Sequence, residues 1–231
     1  RLVAGQDYTV VNTDHDERYR DFWQQYHKMM SRKGITEQMA KLEMRRRTTL
    51  IGAMMVERGE ADGMICGTVS TTHRHLHFID QVIGKKEGAK VYAAMNALVL
   101  PNRQIFLVDT HVNVDPTPEQ LAEITIMAAE EVRRFGIEPK VALLSHSNFG
   151  SSNAPTAQKM RDTLAILRER APDLQVDGEM HGDAALVESI RHDLMPDSPL
   201  KGSANLLIMP NMEAARISSG WAALRASVAA L

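Results

Sequence analysis

The sequence contains only one cysteine, Cys66, among its 231 residues. An intrachain disulfide is therefore impossible, and a metal cage built from cysteines is excluded as well. Aromatic residues make up 5% of the chain, and no apolar run approaches the length of a membrane span. The formal net charge of −2 argues against a general role in binding nucleic acid or membrane surfaces, since neither sign dominates. We expect a soluble cytoplasmic protein that binds neither nucleic acid nor membrane.

The length of the chain suits one large domain or two small lobes that share a cleft. Hydrophobic residues make up 44% and charged residues 24%, which is ordinary for a globular protein. The chain begins without an initiator methionine, and residues 220–231 are rich in alanine and serine and carry no motif. We interpret the sequence as a fragment or as an incompletely ordered domain.

Helical and strand patterns alternate along the chain, which predicts an α/β fold with a mainly parallel sheet between layers of helices. The clearest helix begins after Thr117, where Pro118 suits the first helical position and Gln120 completes a capping box. Gly136 should end this helix. Strands are predicted near 64–67, 96–100, 105–109, 140–145, 175–180 and 205–210, and further helices near 36–46, 48–58, 156–170 and from 183.

Polar residues follow four of the predicted strands, where the ligands of parallel α/β sheets bind. The loop at 145–152 joins a strand to a helix start, and its small residues would let backbone N–H groups approach an anion. The alternative is a hydrophilic turn that merely caps the next helix. The groups at the strand ends are 109–111, 145–152, 181 with 183, and 211 with 213. The candidate ligand-binding residues are Ser145, Ser147, Asn148, Gly150, Ser151, Ser152, Asp183, Asn211 and Glu213.

Two aspartates at these strand ends allow more than one interpretation. Asp183 fits the N-cap of a helix, and it could also make a polar contact at the mouth of a cleft. Both roles are compatible with each other. Asp109, at the end of an apolar strand, is similarly open between supporting the backbone and contacting a ligand.

Three histidines, His73, His75 and His77, are spaced two residues apart, which on a strand would aim them to one side. A metal site also needs a closed ligand set, and Asp80 is the only carboxylate with suitable spacing nearby. We therefore predict no metal site and interpret the histidines as solvent-facing or cleft-facing residues. The sequence also lacks Walker and dinucleotide glycine fingerprints, so nucleotide hydrolysis and NAD binding within this chain are not expected.

Several motifs resemble those of the phosphate acetyl/butyryltransferase family. They are G-E-A-D-G-M-I-C-G, D-P-T-P-E-Q-L-A-E-I, F-G-I-E-P-K-V-A-L-L-S, D-G-E-M-H-G-D-A-A and S-P-L-K-G-S-A-N. The resemblance extends from about residue 7 to residue 216. The phrases S-H-S-N-F-G-S-S and M-P-N-M-E-A-A-R-I are most similar to the branch that forms the C-terminal domain of bacterial NADP-dependent malic enzymes. In that branch, a separate N-terminal module decarboxylates malate to pyruvate with NADP and a divalent metal.

The resemblance implies a two-lobed, three-layer αβα fold like that of isocitrate and isopropylmalate dehydrogenases. Its sheets would be mainly parallel, and coenzyme A would bind in the cleft between the lobes, beside the loop at 145–152. Residues 1–91 would be the remnant of the first lobe and residues 92–219 the second, with 220–231 left unassigned. The resemblance further implies a homo-oligomer, at least a dimer, that pairs through the second lobe.

No catalytic residue is assigned, because the family's functional positions are degenerate in this sequence. Free-standing members let the coenzyme A thiol attack acetyl phosphate, whose phosphate is held by arginines. Two of these arginines align with Met30 and His77, and a family cysteine aligns with Thr110. The phrase that carries the family's serine, third arginine and aspartate base would lie in a C-terminal tail beyond this sequence. Each lost contact to developing charge would cost about 3 kcal/mol.

Three functions remain open on these grounds. The leading hypothesis is an acetyl-CoA-sensing regulatory and oligomerisation domain of an NADP-dependent malic enzyme. The alternative is a competent phosphate acetyltransferase that converts acetyl-CoA and phosphate to coenzyme A and acetyl phosphate. A third possibility is a purely structural oligomerisation domain, which would not bind CoA esters. The sequence leaves open the sign of the effector response, the oligomer size and the preferred acyl group.

Overall fold

Helices dominate residues 1–86, which form the first of two units, and the second unit spans residues 87–231. The computed structural model describes residues 2–13 and 15–228. Within those two ranges, none of the helices combines the length and the apolar character that crossing a membrane requires. The lobe boundary expected after residue 91 stays a prediction.

The first unit packs its helices around an apolar core. Thr36 caps α2 by accepting a hydrogen bond from Met39 N at 3.2 Å. Phe22, Met44 and Leu50, which come from three different helices, are almost completely buried. The helices are α1 (Tyr19–Met30), α2 (Glu37–Arg46), α3 (Thr48–Glu57) and α4 (Thr72–Val82), with a short 3-10 turn at Ser31–Lys33.

The strand predicted at 64–67 is not formed. These residues have no regular secondary structure, and Ile65 is fully exposed. A strand requires a hydrogen-bonded neighbour, and the described residues of the first unit contain no strand with which 64–67 could pair. The prediction was wrong because a short apolar run does not by itself provide a neighbouring strand.

The second unit contains a five-stranded mixed sheet in the order β1-β2-β5-β3-β4. β2, β5, β3 and β4 are parallel, and β1 pairs antiparallel with β2. The predicted α/β fold with a mainly parallel sheet is therefore confirmed. The strands are β1 (Met95–Leu100), β2 (Arg103–Val108), β3 (Val141–Leu144), β4 (Val176–Met180) and β5 (Leu206–Ile208). The helices are α5 (Pro118–Arg134), α6 (Pro155–Arg170), α7 (Gly182–Leu186), α8 (Glu188–Leu194) and α9 (Met212–Val228).

Alternating side chains of the strands place apolar residues on both faces of this sheet. Phe106 and Val108 of β2 pack in one core cluster with residues of α5 and α6. Leu107 of the same strand packs in the opposite cluster, which includes Ala184 of α7 and Ala215 of α9. The second unit therefore has three layers, and helices cover both faces of the sheet.

The start of α5 follows the sequence prediction closely. Thr117 Oγ1 accepts from Gln120 N at 3.3 Å, and Gln120 Oε1 accepts from Thr117 N at 2.9 Å. Pro118 occupies the first turn, and Gly136 follows the end of the helix with a φ of 75°. The predicted capping box and helix stop are both confirmed.

Candidate functional site

The parallel strands of the second unit bring four polar segments to the carboxyl-terminal edge of the sheet, where these strands end. β2, β5, β3 and β4 all end at this edge, so the segments that follow them begin there. The segments that meet at the edge are 109–111, 145–152, 181–183 and 211–213. The topology thus positions the candidate residues as a group, and the individual contacts determine what each one can do.

The loop at 145–152 wraps around the carboxylate of Glu179 from β4. Glu179 is completely buried, and its Oε1 accepts hydrogen bonds from Ser147 Oγ at 2.7 Å and from Gly150 N at 2.9 Å. Arg161 of α6 adds an ion pair to the same oxygen at 2.8 Å. This internal anion occupies the donors that were expected to receive an external one.

Every backbone N–H of residues 147–152 is engaged inside the protein. Besides Gly150 N, the donors reach Ser145 Oγ, Ser151 Oγ, Glu179 O, Asn148 O and Ser147 Oγ. Ser147 is also fully buried, so it supports the loop and cannot contact a ligand in this conformation. We therefore correct the expected mechanism, in which these N–H groups bind the phosphates of an effector. The exposed groups of the loop are His146, Gly150 and Ser151.

Asn148 and Asp183 lie at the same edge of the sheet but make different contacts. Asn148 Oδ1 accepts from His181 N at 2.7 Å and so ties the loop after β3 to the end of β4. Asp183 is exposed. It is the second residue of α7, whose N-cap is His181. Its Oδ1 accepts from the adjacent Ala184 N at 2.7 Å. The prediction that Asp183 is an N-cap was wrong, and its carboxylate remains open to solvent.

Asp109 organises the turn after β2. The side chain is buried, and its Oδ1 accepts from the backbone N–H groups of Ala94, His111 and Val112 at 3.0–3.2 Å. Oδ2 accepts from Asn113 N at 2.8 Å. Of the two interpretations offered by the sequence, support of the backbone is the one that these contacts favour.

The remaining candidates at this edge also have local partners. Thr110 is completely buried, and its hydroxyl donates to Asn96 Oδ1 at 3.2 Å. Asn211 precedes α9 and accepts from Ala214 N at 2.9 Å, as an N-cap residue does. Glu213 is exposed in the first turn of α9, where a negative charge favours the helix dipole.

The histidines of the first unit lie on α4, not on a strand. Because successive residues of a helix are separated by about 100°, a spacing of two directs side chains to different sides. His75 Nδ1 is 2.7 Å from Thr49 Oγ1, whereas His77 Nε2 is 3.0 Å from Gln81 Nε2. Among the residues that the structure describes, no cluster of three or more His, Cys, Asp or Glu side chains could hold a metal.

The position aligned with the first family arginine lies in the hydrophobic core. Met30 is 2% exposed and packs in the apolar cluster of the first unit. His77, at the second position, is exposed on α4. Neither position therefore supplies a guanidinium group, and Met30 has no access to a ligand in this conformation.

A basic cavity of about 310 Å³ lies elsewhere in the first unit, between the α2–α3 junction and the start of α4. We call it the arginine pocket. Arg46 and Arg74 are exposed, and their guanidinium groups form no hydrogen bond or ion pair with any residue described. Its described lining contains no Asp or Glu. The pocket is lined by Arg46, Arg47, Thr48, Thr49, Val69, Ser70, Arg74, His75 and Phe78.

Two further features make the arginine pocket suitable for an anion. The N-terminus of α4 follows Ser70 closely, which adds positive potential. His75 Nε2 is buried without a hydrogen-bond partner in the described chain. Sequence reasoning missed this site, although the run of three arginines at 45–47 was a visible signal.

Comparison with known proteins places the chain in a family. A family model described as phosphate acetyl/butaryl transferase matches residues 2–230. The chain belongs to this family. A phosphotransacetylase crystal structure from Streptococcus pyogenes matches with a TM-score of 0.84 and 32% identity, covering 94% of this chain and 66% of that one. Both the resemblance and the phosphotransacetylase-type fold inferred from the sequence are thus confirmed.

The relatives of this chain include both malic enzymes and phosphate acetyltransferases. The NADP-dependent malic enzyme of Salmonella typhimurium is 62% identical over 94% of this chain. The phosphate acetyltransferase of Corynebacterium glutamicum is 36% identical over 90% of this chain and 63% of its own length. The chain spans 29% of the length of the Salmonella enzyme, so it corresponds to a phosphotransacetylase-type region within a longer relative.

Proposed function

We propose that the chain is an acetyl-CoA-sensing regulatory and oligomerisation domain of a cytoplasmic NADP-dependent malic enzyme. A separate N-terminal module would decarboxylate malate to pyruvate, with NADP and a divalent metal bound there. Family membership and the 62% identity to an enzyme of that name support the assignment. The domain would assemble at least as a dimer, through its second lobe.

The arginine pocket is the observation that carries the ligand-binding part of this proposal. Coenzyme A presents a 3′-phosphate and a diphosphate, and guanidinium groups are permanently charged donors suited to both. Arg46 and Arg74 have no competing carboxylate in the described part of the chain. Arg47 is different, because its Nε already donates to Glu43 at 2.9 Å. We assign Arg46 and Arg74 the phosphate-binding role.

We expect acetyl-CoA to stabilise the chain, and Arg46→Ala/Arg74→Ala to remove most of this effect. At a hundredfold excess over its dissociation constant, the ligand adds about 2.7 kcal/mol, a rise in Tm of roughly 5–10 °C. Each lost charged contact should weaken binding about tenfold. The measurement is a thermal melt combined with calorimetric titration.

The matched control for this experiment is Arg20→Ala/Arg32→Ala, which also removes two exposed positive charges of the first unit, both outside the pocket. An unchanged melt of the wild type at millimolar acetyl-CoA would refute the sensing function and favour a purely structural assembly domain. Equal affinities of the double variant and the control would leave sensing intact and refute the assignment of the arginine pocket.

The alternative, an active phosphate acetyltransferase, requires a phosphate clamp beside the acetyl carbonyl. Met30 is buried and apolar, and His77 offers a weaker donor than arginine near neutral pH. We therefore expect acyl transfer between coenzyme A and phosphate to remain at background in a coupled assay of the full-length protein. Turnover of about one per second, in the ordinary range of enzymes, would establish the alternative.

A further inference from the structure

Ser152, which lies shortly before α6, is held at both its backbone N–H and its backbone carbonyl. The N–H donates to Ser147 Oγ at 3.0 Å, and the carbonyl accepts from Arg161 Nη2 at 3.0 Å. Ser147 and Arg161 are themselves fixed, because both donate to the buried Glu179 Oε1. The carboxylate inside the loop therefore provides a rigid support for Ser152, and a reactive side chain needs such support.

The hydrogen bonds of the Ser152 hydroxyl determine the direction of its proton. Oγ lies 3.1 Å from His146 Nε2 and accepts from Ala154 N at 3.2 Å. Because a backbone amide can only donate, it uses a lone pair of the oxygen and leaves the hydroxyl hydrogen free to donate to His146. His146 Nε2 is then the acceptor, so the imidazole carries its proton on Nδ1. Ser152 and His146 thus have the arrangement of a nucleophile and its general base.

Both members of this pair are open to small molecules. The contact between Ser152 Oγ and His146 Nε2 is exposed to solvent, and His146 is exposed as a residue. Asn153 is exposed as well, and its backbone N–H has no acceptor in the part of the chain that the structure describes. Where a nucleophile stands between a strand and a helix, the N–H of the following residue can stabilise the oxyanion. Ser152 stands between β3 and α6, so Asn153 N–H is suited to this role.

A purely structural role would account for only part of these contacts. The bond from Ala154 N to Ser152 Oγ supports the start of α6, whose N-cap residue Ala154 has no side-chain acceptor. The contact with His146 adds nothing to that support, because His146 makes no other side-chain hydrogen bond within the described ranges. His146 also lacks a carboxylate partner there, so the pair has no third residue to orient the imidazole. We therefore expect modest reactivity.

We propose that Ser152 and His146 form a nucleophile–base pair that hydrolyses small activated acyl esters. Ser152 Oγ bonds to the carbonyl carbon as its proton passes to His146 Nε2, and the leaving group departs with that proton. Water then attacks acyl-Ser152 and gives a proton to His146, which returns it to Ser152 Oγ as the carboxylic acid leaves. This activity is independent of acetyl-CoA binding by the arginine pocket, which lies in the other unit.

The test is reaction of the full chain with p-nitrophenyl acetate, followed by the release of nitrophenolate and by mass spectrometry of the peptides. We expect an acetyl group on Ser152. The wild type should react about 100-fold faster than His146→Gln, the lower end of the range for general-base catalysis, because no third residue orients the imidazole.

Variants separate this pair from the ordinary reactivity of histidine. His146→Gln keeps a polar side chain but removes the base, and Ser152→Ala removes the nucleophile. Both should react at the background rate, whereas His73→Gln and Ser189→Ala, which alter an exposed histidine and an exposed serine elsewhere, should react like the wild type. Because Ser152→Ala also removes the acceptor of Ala154 N, His146→Gln is the decisive variant if Ser152→Ala unfolds.

Three results would overturn the proposal. Acetyl groups on several histidines, with Ser152 unmodified, would show only the reactivity of free imidazoles. Equal rates of the wild type and His146→Gln would show that His146 is not the base. Equal rates of Ser152→Ala and Ser189→Ala would show that the reaction does not pass through Ser152.

Discussion

Replacing Gly178 with alanine should destabilise the second unit by about 4 kcal/mol, the sum of backbone strain and overpacking of about 2 kcal/mol each. Tm should fall by about 10 °C. Gly178 pairs with Leu143 of the neighbouring β3 and has a φ of 144°, which side chains rarely adopt. An added Cβ would lie 2.7 Å from Leu143 O and 2.9 Å from Leu143 Cβ.

The close approach of Gly178 to Leu143 explains why structural relaxation cannot remove this loss of stability. The nearest atom is a backbone oxygen of a buried strand, which cannot rotate away as the end of a flexible side chain could. Displacing β4 would also move Asp177 and Glu179, and with them the loop that wraps around Glu179. The variant should therefore lose protection of the Gly150 N–H in hydrogen exchange as well as global stability.

Gly182→Ala is the matched control, four residues further along the same chain. An added Cβ there would meet no atom within 4 Å, and its φ is not positive. Because Gly182 lies within α7, alanine should be neutral or stabilising by up to about 1 kcal/mol. Chemical denaturation of both variants checks the prediction. Equal stabilities would show that β4 can shift without cost.

Sequence patterns predicted the second unit well because its signals are local. The Thr117–Gln120 capping box and the consecutive apolar residues of β2 each lie within a few positions of one another. The first unit was harder, since the apolar run at 64–67 depends on a neighbour that local sequence cannot reveal. The histidines at 73–77 were given no element from sequence, and their spacing of two, which would align them only on a strand, did not reveal α4.

The polar segments at the carboxyl ends of the strands could be located from sequence but not described in detail, and the arginine pocket was missed. Strand ends predicted where the polar segments meet, because parallel topology fixes that edge. The partner of the loop at 145–152 could not be predicted, since Glu179 lies 29 residues after Gly150 in the chain. From sequence alone, a loop whose donors bind a carboxylate of the same chain cannot be distinguished from a loop whose donors bind an external anion. Only the fold brings Ser147 and Glu179 together.

Replacing Arg191 with methionine should cost about 3–5 kcal/mol, because it leaves buried polar groups without partners. Arg191 is 1% exposed, the largest of the fully buried side chains described. Its guanidinium connects α7 to the segment before β5. Nη1 donates to the carbonyls of Ala184 at 2.8 Å and Ala185 at 3.3 Å, and Nη2 to those of Leu200 at 3.0 Å and Gly202 at 2.5 Å.

Two further variants separate geometry from charge. Arg191→Lys keeps the charge but lacks the planar group that spans four carbonyls, so it should lose about half as much stability as the methionine variant. Arg170→Met removes an exposed arginine at the end of α6 and should change stability by less than about 0.5 kcal/mol. Urea unfolding measures all three. Equal stabilities of Arg191→Met and Arg170→Met would refute the bridging role.

A titration of Glu188 identifies the cause of the stability loss in Arg191→Met. The hydrogen bond from Gly202 N–H, at 2.8 Å, lowers the pKa of Glu188, and the charge of Arg191 lowers this pKa further. A lowered pKa means that the ionised carboxylate stabilises the fold above its unfolded pKa and that this contribution is lost as the pH falls. In Arg191→Met the segment at 200–202 loses its anchor, so NMR titration should find the pKa of Glu188 closer to its ordinary value. If the variant unfolds more easily but the pKa of Glu188 is unchanged, Arg191 acts through packing alone and does not position the 200–202 segment.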